Sequence, residues 1–379
     1  MTSPLRVVLN ASIMLAPHAG IGRYVGELSR SLQHRHDIHL SFTYGLRHGT
    51  QLPDQGLSHY SLVRDLAKRL LPASYQAKRW VERRTLRRAL DIRNADLYHE
   101  PSLWPQRVDR PMVFTLHDLT HVHYPHTQPA DRLRAIERHL GHALDNARRI
   151  LCVSESTAQQ AVQHYGVSRE RLCVTPLGVS RSFQPCSSDQ SRPTLQALGL
   201  RHREFLLCVG TLEPRKNLEL VFQAARRLPS SLLDRCPLVL CGARGWGEIP
   251  PSLAQLERRG HLIRTGYLEG APLRLLMGSA RMLLFPSLYE GFGLPILEAM
   301  ASGTPVITSN CSSMPEVGGE AALYIDPTGS EHLTEAILRL YDDDALWENL
   351  QQAGLRRAVE FSWERTAELT LSAYREALG

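Results

Sequence analysis

Two glutamates bracket a glycine-rich turn in Glu290-Gly-Phe-Gly-Leu-Pro-Ile-Leu-Glu298. Pro295 suits the first turn of a helix, where its missing N–H loses no bond, and Gly303 suits the end of that helix. The pattern predicts a buried strand Met282–Phe285, a loop 286–293 that holds Glu290, and a helix with Glu298 one turn in. The N–H groups at a helix start favour an anion. Gly291 and Gly293 let a ligand approach the backbone closely. A carboxylate on either side of an anion site can hold hydroxyls, so an anionic ligand with hydroxyls, such as a sugar nucleotide, fits. The alternative makes Glu290 a solvated loop residue and Glu298 a surface residue.

A second cluster lies in Val209-Gly-Thr-Leu-Glu-Pro-Arg-Lys-Asn-Leu218. A strand ends at Gly210, and Arg215 and Lys216 precede a helix. Ligands of open α/β sheets bind outside the carboxyl ends of strands. Arg as a fork and Lys as a point charge suit a diphosphate. Two solvated cations at a helix start would be opposed by the helix dipole. Gly20-Ile-Gly-Arg-Tyr-Val-Gly26 opens a helix after the first strand, with Gly20 and Gly22 able to bring the helix start to phosphate or acceptor. Its spacing is not that of a dinucleotide fingerprint, which disfavours NAD.

The tract Thr115–His126 holds four His and one Asp. Their spacing matches no common zinc pattern, so no metal is expected there. His117, directly after an apolar run, is placed to reach a ligand. His121, His123 and His126 read as loop packing. Asp342–Asp344 reads as a solvated helix cap.

These residues need elements to carry them. Apolar runs predict strands at Leu5–Asn10, Pro111–Leu116, Arg149–Val153, Phe205–Val209, Leu238–Cys241, Met282–Phe285 and Pro305–Ile307. Helical patterns cover 130–147, 155–165, 217–228, 331–341 and 363–378. Alternation of strand and helix predicts an α/β protein with parallel sheets. The length of 379 residues fits two domains. The segment 180–204 has the composition of a linker, which divides the chain into 1–185 and 186–362.

The net charge of +6 is local, since 64–93 holds ten Lys or Arg against three Asp or Glu, or +7. A basic amphipathic helix there suits an anionic membrane or is a solvated face. Nucleic acid is disfavoured because no recognised module or aromatic interleaving accompanies it. Seven scattered cysteines, without a CxxC pair, suit buried free thiols and a reducing compartment. No signal-peptide pattern or apolar run of the roughly 20 residues needed for a span is present. A cytoplasmic protein, peripheral on the inner face of the plasma membrane if 64–93 docks there, is expected.

With these motifs in order, the chain resembles retaining glycosyltransferase family 4 (group 1 glycosyltransferases). Glu290–Glu298 followed by Ala-Ser-Gly-Thr-Pro-Val-Ile resembles the family's E-x7-E motif. Gly210–Asn217 resembles its phosphate loop. Gly20-Ile-Gly-Arg-Tyr and His117-Asp118 resemble its N-terminal glycine loop and active-site histidine. The resemblance implies a GT-B fold of two Rossmann-like domains facing across a cleft, an N-terminal acceptor domain and a C-terminal donor domain, with the last helix (363–379) packed back on the first. It implies that Arg215 and Lys216 hold the donor diphosphate and Glu298 the ribose hydroxyls. Glu290 and the amides of Phe292, Gly293 and Leu294 would surround sugar and phosphate, His117 would touch the sugar, and Tyr267 and Leu268 would lie near the base.

The implied activity is retaining, metal-independent hexosyl transfer from a nucleotide diphosphate sugar, with no further cofactor, to a glycan or lipid-linked glycan in cell-surface polysaccharide synthesis. Leu-Glu-Pro-Arg-Lys-Asn is similar to mannosyl- or rhamnosyl-type bacterial polysaccharide and lipopolysaccharide (O-antigen) enzymes, which favours a GDP-sugar, GDP-mannose or a GDP-deoxyhexose, over a UDP-sugar. The rivals are a nucleotide-sugar epimerase or hydrolase, a phosphorylase, and a non-catalytic sugar-nucleotide sensor.

Overall fold

The computed structural model describes residues 3–15, 20–52, 74–103, 105–244 and 251–379, with backbone only for 74–79 and 251. The chain forms two compact units: Met1–His121 with Pro129–Gly178 and Trp363–Gly379, and Val122–Gln128 with Val179–Ser362.

The first unit is built on β1 (Leu5–Asn10), β2 (Ile38–Tyr44), β3 (Arg47–Gly49), β4 (Leu97–Glu100), β5 (Met112–Leu116), β6 (Arg149–Cys152) and β7 (Leu172–Val174). Their order is β3-β2-β1-β4-β5-β6-β7, all parallel except the β2–β3 pair. The strand order reverses between β1 and β4, so loops after these strands surround the switch point where Rossmann sheets bind ligands. The final helix, Trp363–Glu376, belongs to this unit. Thr366 donates to the Pro176 carbonyl at 2.7 Å, and Arg375 pairs with Asp37 at 2.7 Å.

The second unit carries β8 (Leu206–Val209), β9 (Leu238–Cys241), β10 (Leu262–Gly266), β11 (Met282–Phe285), β12 (Val306–Ser309) and β13 (Ala322–Ile325). The order β10-β9-β8-β11-β12-β13 is all parallel. Strands covered on both faces read as near-continuous apolar runs, as β9 and β11 do, which are buried at every position; β12 is buried throughout as well, although it ends in Thr308 and Ser309. The helix Leu218–Arg227 buries Leu220, Val221, Phe222, Ala224 and Ala225 in a core shared with Leu206 and Cys208 of β8.

The stretch expected to be a linker is not one throughout. Ser188–Ala197 is a helix, and Ser187 and Gln190 form a complete capping box at its start. Leu195 on this helix is buried. Reciprocal capping by Ser and Gln satisfies two end donors, which outweighs Pro193 inside the helix. In the basic region, a helix runs over Ser74–Ile92, and 64–73 lie outside the described residues.

Candidate active site

The switch point of the second sheet lies between β8 and β11, and the two sequence clusters occupy the loops after those strands. Past β8, the Gly210 N–H donates to the Cys241 carbonyl at 2.9 Å. The neighbouring Gly242 must lack a side chain, because a Cβ there would sit 1.8 Å from the Gly210 carbonyl oxygen. Pro214–Lys216 form a single 3-10 turn, closed by Asn217 in the left-handed region at φ 56. The Asn217 amide donates to the carbonyls of Pro286 (3.2 Å) and Pro327 (2.8 Å), fastening the turn to two other loops. The Leu288 N–H donates to the Arg215 carbonyl at 2.8 Å. Arg215 and Lys216 therefore lie against the loop that holds Glu290.

Their side chains converge. Glu290 Oε1 lies 2.6 Å from Lys216 Nζ, and Oε2 lies 2.7 Å from Arg215 Nη1. Glu213 takes the Arg215 Nε–H at 2.9 Å, and the Lys216 ammonium also stands 4.8 Å from the centre of the Phe285 ring. Glu290 is only 8% exposed, so the solvated-loop alternative does not hold. Burial would raise its pKa, but the charges of Arg215 and Lys216 outweigh it and hold the carboxyl at about 2. Burial pushes the Lys216 ammonium down from its ordinary value, with Glu290 opposing. The sequence separates a carboxylate for the sugar from cations for the diphosphate, whereas the folded chain joins them in one ion cluster. The pairing of Glu213 with Arg215 is made by the 3-10 turn between them, which residue spacing alone does not show.

Beyond Glu290 the chain enters the helix Leu294–Ala301, with Gly293 as its N-cap at φ 109 and Pro295 in the first turn. No side chain caps this start, so its end amides keep the partial positive charge that favours anions. Gly303, at φ 73, follows the helix end. Glu298 is 3% exposed among the buried Ile296, Leu297, Ala299 and Met300, which removes the surface alternative. Tyr267 and Leu268 follow β10 at the same carboxyl edge, and the exposed Tyr267 hydroxyl donates to Glu269 at 3.1 Å.

In the first unit, Gly20 and Gly22 lie in the opening turn of the helix Gly20–Gln33. His117 follows β5 directly, and its Nε2 is 3.0 Å from the Pro101 carbonyl. A carbonyl only accepts, so Nε2 carries the proton and the neutral ring keeps Nδ1 as an acceptor. Burial pushes the His117 pKa down to about 4, with Asp118 partly opposing. The Tyr24 ring meets His117 edge to face at 4.9 Å between centres. Beneath it, buried hydroxyls and a second imidazole form a chain. Tyr24 bonds Thr115 at 3.0 Å, Thr115 bonds His99 Nε2 at 2.7 Å, and His99 Nδ1 bonds Tyr374 at 2.7 Å. Glu100, fully buried at the end of β4, accepts from Asn10, Tyr98 and Ser102. Tyr24 was visible only as part of the glycine motif, and His99 and Glu100 gave no motif signal.

Of the other histidines of the tract, His121 bonds the Tyr165 hydroxyl at 2.7 Å and His123 lies against Tyr289, while His126 is exposed with its ring 6.0 Å from that of Tyr124. Asp343 caps the helix Asp344–Val359 through the Leu346 N–H, and Asp344 pairs with Arg281 at 2.6 Å.

Two Rossmann-like units, the second with an ion cluster and an open helix start at its switch point, define a protein of the GT-B class. The Glycosyltransferase Family 4 profile matches residues 18–183, and the profile of Glycosyl transferases group 1 matches 195–357. An O-antigen chain mannosyltransferase B of Escherichia coli is 34% identical, over 98% of this chain and 100% of that one. A serotype-specific mannosyltransferase WbdA of the same organism is 31% identical over 62% of this chain but only 29% of its own length. The solved structure of Anabaena HepE in complex with UDP-glucose superposes with a TM-score of 0.72 at 16% identity, covering 98% of this chain and 100% of that one. The chain belongs to glycosyltransferase family 4.

Proposed function

We propose that this enzyme moves a mannosyl residue from GDP-mannose, with retention, onto a glycan or lipid-linked glycan of a cell-surface polysaccharide. The observation that carries this reading is the cluster of partly buried Arg215 and Lys216 on the buried Glu290, beside the start of the Leu294–Ala301 helix. The names of the full-length and partial mannosyltransferase relatives support the choice of sugar.

In this reading the anomeric C–O bond breaks and the bonding pair leaves with the diphosphate. Arg215, Lys216 and the amides of Phe292, Gly293 and Leu294 stabilise the charge that builds there. Such preorganised donors typically contribute 10²–10³ in rate each. They take the part that a divalent metal plays elsewhere, so no metal or further cofactor is invoked. The acceptor hydroxyl attacks from the leaving-group face, its oxygen forms the new glycosidic bond, and its proton passes to the departing phosphate oxygen. Glu298 holds ribose hydroxyls, Glu290 holds sugar hydroxyls, and Tyr267 and Leu268 flank the base. Gly20 and Gly22 bring a helix start to phosphate or acceptor.

A lipid-linked acceptor brings the enzyme to an anionic leaflet. On the Ser74–Ile92 helix, Trp80 is 61% exposed and shares the solvent face with Arg84, Arg87, Arg88 and Ile92. Among the described residues no helix is long and apolar enough to cross a membrane, and peripheral contact through this face is the proposed mode.

The test is slow donor hydrolysis across GDP-, UDP-, ADP- and dTDP-sugars, with the anomeric configuration of transferred sugar read by NMR. Preferential turnover of GDP-mannose and an α product support the reading. Turnover confined to UDP-sugars, or an inverted product, overturns it.

A further inference from the structure

The loop 288–292 is gripped from one side by three consecutive residues after β12. Cys311 Sγ lies 3.4 Å from the Leu288 carbonyl. The Ser312 hydroxyl bonds the Glu290 carbonyl. The Ser313 hydroxyl reaches the carbonyls of both Glu290 (2.9 Å) and Phe292 (2.8 Å). The carbonyls so held belong to alternate residues, 288, 290 and 292. The peptide between them is turned the other way: the Tyr289 carbonyl accepts from Arg215 at 3.2 Å, while the Glu290 N–H donates to Ser312 Oγ at 3.3 Å.

Two features make this grip costly unless it is used. Ser313 occupies the N-cap position of the Met314–Gly318 helix but makes no side-chain cap bond there, although capping is the usual role of a serine at that place. Ser312 is held in the left-handed region at φ 57, a strained backbone for a residue with a side chain.

In a planar trans peptide the N–H points opposite to the carbonyl. Holding the Glu290 and Phe292 carbonyls toward Ser313 therefore turns the N–H groups of Gly291 and Gly293 away from it. We infer that Ser313, aided by Ser312, is a positioning residue that aims the Gly293 amide, at the start of the Leu294–Ala301 helix, at the donor phosphates, an inference that rests on the donor-site reading above.

The test is calorimetric titration of the full-length protein with GDP and UDP and with the matching nucleosides. With S313A, the diphosphate that binds the wild type should bind about tenfold more weakly, the scale of one lost hydrogen bond to a charged group, while the nucleoside binds unchanged. Unchanged diphosphate binding, or equal weakening of diphosphate and nucleoside, overturns the inference. If S313A does not fold, S312G, which keeps the left-handed backbone and removes the hydroxyl, is judged by the same two outcomes. Failure of the wild type to bind any nucleoside diphosphate would overturn the donor-site reading as well, whereas normal wild-type binding with an unaffected variant overturns only the role of Ser313.

Discussion

Glu290 meets Lys216 with 2.6 Å between Oε1 and Nζ, across 74 positions of sequence. This contact and the parallel one to Arg215 fix the loop after β11 to the loop after β8. E290Q should leave two cations with Glu213 as their remaining acidic partner. Breaking a buried pair from one side costs on the order of 3 kcal/mol, so the midpoint of thermal unfolding should fall and donor turnover with it. Unchanged stability would show that the ion cluster contributes nothing to the fold.

The same carboxylate predicts a pH dependence. Its folded pKa, about 2, lies below the ordinary 4.5. A lowered acid contributes stability fully present above the unfolded value and lost as pH falls through the folded one. Chemical denaturation from pH 6 to 2 should therefore show a loss of stability, beginning near pH 4.5, that E290Q lacks.

His117 behaves in the opposite sense to a paired histidine. Its folded pKa of about 4 is below the ordinary 6.5, and that of His99 is pushed by burial to about 3. The unfolded chain then takes up protons first, so these groups make stability fall as pH drops below about 6.5. In activity, kcat/KM should show no His117 inflection between pH 6 and 8. An inflection near pH 6.5 that disappears in H117A would show that the ring is charged in the working enzyme.

G242A tests the close approach of two loops. A methyl group placed 1.8 Å from the Gly210 carbonyl oxygen has to displace the Gly210–Asn217 loop. Overpacking of this kind costs about 1–3 kcal/mol, and both thermal stability and nucleoside diphosphate affinity should drop. Wild-type values for both would contradict the described loop contact.

How much of this was legible beforehand depends on whether the cause was local. Met282–Phe285 and Leu238–Cys241 were placed correctly because buried parallel strands are continuous apolar runs. Pro305–Ile307 appears instead as Val306–Ser309, since Thr308 and Ser309 are polar yet fully buried. The helix Ser188–Ala197 was hidden by Pro193 and a run of polar residues, though the Ser187–Gln190 capping pair was present as a signal. The Glu290–Glu298 spacing marked the right loop and helix, but the burial of both residues depends on distant partners. Ser312 and Ser313 were silent because their partners are backbone carbonyls 21 to 23 positions away.

Membrane contact is tested by sedimentation with vesicles of anionic and of neutral lipid. The wild type should bind the anionic vesicles in a salt-sensitive way. Replacing Arg84, Arg87 and Arg88 by Glu should weaken binding by about 1 kcal/mol or more per charge near the surface. Equal sedimentation with both kinds of vesicle, or none with either, contradicts the proposed docking face.

The most direct test of the central claim is the rate of GDP release from GDP-mannose by the wild type and by K216A. Loss of a preorganised cation at the leaving group should reduce release by about 10²-fold or more, with R215A behaving alike. Release by K216A at the wild-type rate would contradict the assignment of the ion cluster to the donor diphosphate.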